Sequence, residues 1–225
     1  MWNKFNIKTF PSETIVYCDG KYMPELSTIE NTETIDKKYD LPIHIIYVGK
    51  IKDENTLNIN INVPNQPVFL SVNTENKSPA FLNIFIKNTG KNSEIRGHIL
   101  CKNSSELSLK IIAEHDAPNT SILIQAKVIG SKNSSSTASG VAIINPNCKN
   151  CGSDIRFAGH SLDKSAKIRF LPHQRILSVP DFADHSAYIF HPDEQKENYL
   201  RMAGLSGAEV KDALVEAFMN DFNLF

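Results

Sequence analysis

No stretch of this chain approaches the roughly 18 consecutive apolar residues that a membrane-crossing helix needs. The opening Met1-Trp2-Asn3-Lys4-Phe5-Asn6 also lacks the apolar core of a secretory signal. Both absences point to a cytoplasmic protein with no membrane contact. Cysteine is scarce, four in 225 residues, too few for a disulfide framework, so free thiols are expected. The Asn-x-Ser/Thr triplets at Asn103, Asn119 and Asn133 then read as turn residues, not glycan acceptors. Nowhere do four Lys or Arg run together, and 24 basic against 25 acidic residues leave a formal charge of −1. Phosphate backbones demand a clustered positive field, so nucleic acid is not an expected partner. Signatures of chemistry are missing too: no Gly-x-x-x-x-Gly-Lys phosphate loop, no Gly-x-Ser-x-Gly elbow, no His-Glu-x-x-His pair. The chain is therefore not expected to be an enzyme, and any ATP hydrolysis belongs to a partner.

What is present is a 41% hydrophobic chain, able to bury a core without metal or disulfide staples. From Leu41 to Leu171 short runs rich in Ile, Val, Leu and Phe follow one another: Ile43 to Val48, Val68 to Val72, Phe81 to Ile86, Ile95 to Leu100, Leu107 to Ala113, Ile122 to Val128 and Val141 to Ile144. Leu57 to Val63 alternates strictly with Asn, which predicts one buried and one wet face. The corners between runs share a composition: Asn76-Lys77-Ser78, Lys91-Asn92-Ser93, Lys102-Asn103-Ser104 and Lys132-Asn133-Ser134. Asn tolerates left-handed backbone and Ser closes local hydrogen bonds, which suits corners. Such a strand–corner period fits an antiparallel sandwich or a flattened β-helix. Asn-Gly and Asp-Gly hairpin turns are missing from the corners between Leu57 and Leu171, which leans toward the solenoid.

The polar stretch Thr28 to Lys38 separates this region from a lead-in containing Ile15-Val16 and the turn Tyr17 to Lys21. The last 35 residues read as helical. His191-Pro192-Asp193-Glu194 opens a first helix that Gly204 closes, and Ser206 with Glu209 forms a capping box for a second. Val210, Leu214, Phe218 and Phe222, with Ala213 and Ala217 beside them, make an apolar stripe along that second helix. The stripe reads as a cap over the open end of the β-core, a docking face, or both. Residues 1–190 are thus expected as the β-core with its lead-in, and residues 191–225 as a helical segment.

Two stretches resemble the SufB/SufD family of iron–sulfur cluster assembly scaffolds. One runs from Ile15 through Tyr17-Cys18-Asp19-Gly20-Lys21 to Ser27. The other is Ser178-Val179-Pro180-Asp181, Asp184-His185-Ser186-Ala187, Asp193-Glu194-Gln195, Tyr199-Leu200 and Ala203-Gly204-Leu205-Ser206. The resemblance implies a right-handed parallel β-helix with two short C-terminal helices, in a short form lacking the family's helical N-terminal region. It also implies work beside a Suf-type ABC ATPase, and a homodimer or a heterodimer with a SufB-like subunit through the last strands, Ile176 to Ile189. Ser186 follows His185 where SufB-like members carry Glu, and the position expected for their upstream cysteine falls near Phe157. Both departures place the chain nearer the SufD type.

By this resemblance His185 is the candidate interface histidine, with a transient iron–sulfur cluster or iron as the implied cargo. Tyr199, Leu200, Leu214 and Phe218 are the candidate partner-docking residues. Cys148-Lys149-Asn150-Cys151 is a single CxxC, competent for iron or zinc, but also readable as a corner with two free thiols. Cys18 and Cys101 read as small buried apolar residues. Glu114-His115-Asp116 offers acid–base chemistry, but successive strand residues alternate faces, so the three should not converge. A β-helix interaction module without cluster or metal chemistry is the alternative reading.

Overall fold

The computed structural model describes residues 12–51, 53–191 and 193–220. Fourteen strands and two helices follow in order. They are β1 (Glu13–Cys18), β2 (Lys21–Tyr22), β3 (Thr34–Ile35), β4 (Ile43–Gly49), β5 (Asp53–Ile61), β6 (Pro67–Asn76), β7 (Ala80–Asn88) and β8 (Glu94–Asn103). Then come β9 (Glu106–His115), β10 (Ser121–Gly130), β11 (Ser135–Ile144), β12 (Gly152–Ser161), β13 (Lys167–Ile176), β14 (Phe182–Phe190), α1 (Glu194–Met202) and α2 (Gly207–Asn220). The strands form two sheets, ordered β14-β12-β10-β8-β6-β4-β1-β2 and β13-β11-β9-β7-β5-β3. All neighbours are parallel except β1 and β2. The chain therefore winds back and forth between two sheets as a β-solenoid of about 7 turns.

Because parallel neighbours lie in register, one column of side chains runs through every rung. Ile45, Leu70, Ile124 and Ile155 belong to such inward columns of the first sheet, and Ile59, Ile84, Ile111 and Ala138 line the second. The core is close-packed, and bulk on one rung demands its absence on a neighbour. A Cβ on Gly140 would come within 2.8 Å of the Phe157 ring, and one on Gly97 within 2.5 Å of Ile124. This explains why β11 opens with Ser135-Ser136-Thr137-Ala138-Ser139-Gly140 yet is a strand.

The solenoid is longer than the expected span of Leu41 to Leu171. β1 pairs in register with β4, so the lead-in is itself a rung, and the polar stretch after Thr28 carries β3, paired to β5. At the other end β14 begins only at Phe182, since Ile176 closes β13 and residues 177–181 turn the corner.

One corner carries a ladder of asparagines. Asn65, Asn92, Asn119 and Asn150 all hold positive φ, between 55° and 59°. The side-chain amides of Asn92, Asn119 and Asn150 each donate to the carbonyl of the asparagine one rung before, at 3.2, 3.0 and 3.2 Å. Asn119 and Asn133 are thus left-handed turn residues, whereas Asn103 closes β8, is buried, and donates to Ser136 Oγ at 2.9 Å.

Inside the same corner Asn88 accepts from Ser93 Oγ, and one rung on His115 Nδ1 lies 2.8 Å from Thr120 Oγ1. Burial holds the His115 imidazole down to about 4, and His44, buried near His98, also to about 4. An unfolded histidine titrates near 6.5, so as pH falls the unfolded chain takes up these protons first. Stability is whole above about 6.5 and lost between there and about 4, at up to about 3 kcal/mol per histidine. Denaturant titrations at steps between these pH values should show that loss. His115→Asn, which installs the preceding rung's residue, should flatten the slope, with His44 and the likewise depressed His160 supplying the rest. A slope unchanged by this substitution would contradict the assignment.

Candidate functional site

The last rung is where the solenoid ends without a following layer. β12 turns Ile155, Phe157 and Gly159 inward, and β14 lies in register with it, so Ala183, His185, Ala187 and Ile189 share that interior side. Across from them β13 offers Phe170, Pro172, Gln174 and Ile176, stacked on the inward Ala138, Gly140, Ala142 and Ile144. With nothing beyond them these side chains are only partly covered. His185 is exposed although it stands directly over the buried Ile155. Gln174 Nε2 is enclosed there with no hydrogen-bond partner. Leu177, Val179, Phe182, Tyr188 and Ile189, all exposed large apolar residues, gather on the final corner and edge strand.

The two edges at this end differ. In a parallel ladder alternate amides point to opposite neighbours. Asp181 donates to Cys151 O at 2.9 Å, so odd-numbered amides of β14 face β12 and those of Phe182, Asp184, Ser186, Tyr188 and Phe190 face outward. On β13, Lys167 donates to Ser134 O and Leu177 to Ile144 O, so the even-numbered positions face outward. One of these is Pro172, which has no N–H. Proline on an edge strand blocks further pairing. β14 therefore presents a complete row of donors and β13 a broken one.

The candidate ligands are not brought together. Cys148 and Cys151 are buried in a cluster with Ile144, against which Ile176 and Ala183 pack. Cys148 Sγ donates to His115 O at 3.3 Å and Cys151 Sγ to Ala117 O at 3.2 Å. Burial, then the Cys151 thiol beside it, pushes the Cys148 thiol up to about 11, which keeps it protonated. His185 is level with Ile155, four strand residues past Cys151, about 13 Å along the sheet. Among the described residues no group of three His, Cys, Asp or Glu could hold a metal ion. A cluster at His185 would need its other ligands from a second chain. Cys101 is buried and Cys18 half-buried, as expected of small apolar residues.

Glu114, His115 and Asp116 split as the strand alternation predicts. His115 turns into the corner, while Lys87 Nζ meets Glu114 at 3.6 Å and Asp116 at 3.1 Å outside. Beside His185, Asp154 is buried and binds Arg156 Nε at 2.6 Å; burial outweighs that guanidinium and raises the Asp154 carboxyl.

The helices do not close the open end. Lys127, outward on β10, donates from Nζ to Phe218 O at 2.6 Å in the last turn of α2, a favourable end for a cation. His160 of β12 meets the rings of Phe190 and Phe218 edge-on at 5.0 and 5.2 Å. α2 thus lies against the outer face of the first sheet, correcting the expectation of an end cap. Its Val210 is buried, Leu214 and Phe218 are half-buried, and Phe222 lies outside the described residues. Caps match the sequence: Asp193 accepts from the Gln195 amide, Ser206 and Glu209 exchange hydrogen bonds, and Gly204 has φ 99°. Pro192 lies outside the described residues. On α1, Leu200 is half-buried, but Tyr199 is 73% and Met202 88% exposed. A groove of about 580 Å³ between β14 and the helices is lined by Tyr188, Phe190, Lys196, Leu214 and Phe218.

The sequence reading missed the asparagine ladder, although its first two steps are each 27 residues. It also missed the alternation of basic residues along β13.

Residues 71–218 match the family model described as SUF system FeS cluster assembly, SufBD core domain. The match spans well over half of the chain and shows the family. Among curated proteins none is similar enough in sequence to match.

Proposed function

We propose a role for this chain, which belongs to the SufBD core-domain family of SUF-system iron–sulfur cluster assembly: it is a non-enzymatic, cytoplasmic scaffold subunit of the SufD type that joins a second β-solenoid through β14. The observation that carries this reading is the open last rung, with its complete row of outward amides and His185 on its interior side. Strand addition there would continue the ladder and cover the exposed Tyr188 and Ile189. It would also bring His185 against groups of the second chain, which a cluster there would need, because among the described residues no three His, Cys, Asp or Glu come together to hold a metal ion. Ser186 after His185, and the absence of a cysteine near Phe157 where SufB-like members carry one, support the SufD type. The same facts favour a second reading, an interaction module without cluster chemistry, which iron content separates from the first.

ATP-driven steps fall to an ABC-type ATPase docked on the helical pair. α1 supports this, because Tyr199 and Met202 project from a helix with no buried residue. Exposed apolar side chains on a capped helix suit a partner groove. Tyr199→Asp with Met202→Asp should weaken binding of the ATPase at least tenfold, while the circular dichroism and melting of the β-core stay unchanged. Unchanged binding would move the docking site off α1.

A further inference from the structure

Five side chains of β13 face away from the core: Lys167, Arg169, Leu171, His173 and Arg175. Their in-register neighbours Ser135, Thr137, Ser139, Val141 and Ile143 lie on the outer side of β11, whose inward residues are buried. Four of the five are basic, and all four are exposed. Among the described residues none of the four makes an ion pair. The flanking β11 row offers three hydroxyls, Ser135, Thr137 and Ser139, beside Lys167, Arg169 and Leu171, and no carboxylate. A chain with formal charge −1 has thus placed an uncompensated basic row along one strand.

Edge protection does not account for it. Pro172 already removes the central outward amide, and one charge suffices to blunt a strand edge. We propose that the outer face of β13 binds an acidic polypeptide segment laid along the strand, its carboxylates falling opposite Lys167, Arg169, His173 and Arg175. Alternate residues of an extended peptide repeat every ~6.7 Å, as the basic side chains do. From Lys167 to Arg175 the row spans about 27 Å, enough for a segment of about nine residues. Leu171, with Val141 beside its row, gives an apolar centre between charged ends. A second copy is a poor occupant, since β13 laid on β13 sets cation against cation. Nucleic acid is a poor one too, because the outward rows of β13 and β11 carry no Phe, Tyr or Trp on which bases could stack.

Fluorescence anisotropy of the whole chain with a labelled peptide alternating Glu and Thr tests this. The Glu peptide should bind at least tenfold more tightly than its Gln counterpart. Binding should weaken steeply as salt rises from about 0.05 to about 0.5 M. Arg169→Glu with Arg175→Glu should lose the binding, and Arg169→Lys with Arg175→Lys should keep most of it. All variants are surface changes, and an unchanged melt confirms the fold. Equal binding of the Gln peptide, full binding by the double Glu variant, or tighter binding of a single-stranded oligonucleotide than of the Glu peptide would each overturn the proposal.

Discussion

Replacing Ser186 with proline is expected to take the assembled protein apart while leaving each chain folded. The Ser186 amide is the central one of the outward-facing row on β14, and among the described residues no neighbour uses it. Proline there deletes one donor and sets its ring against the incoming strand, while the ladder to β12 keeps every bond. The fold itself shows that this is tolerated, since Pro172 occupies the middle of the sister edge strand β13. One lost backbone hydrogen bond, an orphaned carbonyl on the partner and the steric clash together weaken assembly by about 100-fold. Ser186→Ala keeps the amide and should assemble as the parent does. Light scattering across a dilution series reads the difference, alone and with a second Suf-type solenoid present. Assembly of the proline variant at the parent's concentration would place the joint elsewhere.

The residues that made the fold legible were those whose chemistry is local. Asn58, Asn60 and Asn62 alternating with Leu57, Ile59 and Ile61 gave β5, and Ser206 with Glu209 gave the start of α2, because each depends only on its own few neighbours. β11 was half-missed for the opposite reason. Gly140 and Ala138 are small because Phe157 and Phe170 fill the space beside them, a fact held by other rungs. The lead-in strand β1 was read as separate since its partner β4 lies across the polar Thr28 to Lys38 stretch. Where α2 rests could not be read either. Its stripe announced an apolar face, but the surface receiving it was set by Lys127 and His160, a fully buried cation and imidazole on strands that otherwise look ordinary.

The candidate site was picked out only through resemblance. His185 was picked out by the residues around it, and its place on the interior side of an uncovered rung comes from register with Ile155. Cys148 and Cys151 looked alike in sequence to a metal pair, and burial against His115 O and Ala117 O set them apart from His185. The difference between the two edges rests on which amides point outward, a parity that no composition reveals.

The most direct test of the scaffold role is the iron and acid-labile sulfide held by the assembled complex after anaerobic loading with ferrous iron and sulfide, compared between the parent and His185→Ala. His185 is exposed on the edge strand, so the variant should assemble with unchanged mass and nearly unchanged melting. An exposed residue that supplies a ligand across a joint should matter far more to the cargo than to stability. The account predicts that the parent complex holds both iron and sulfide and that the variant, equally assembled, loses most of both. A correctly assembled parent complex that holds neither, or a variant that holds as much as the parent, would contradict it.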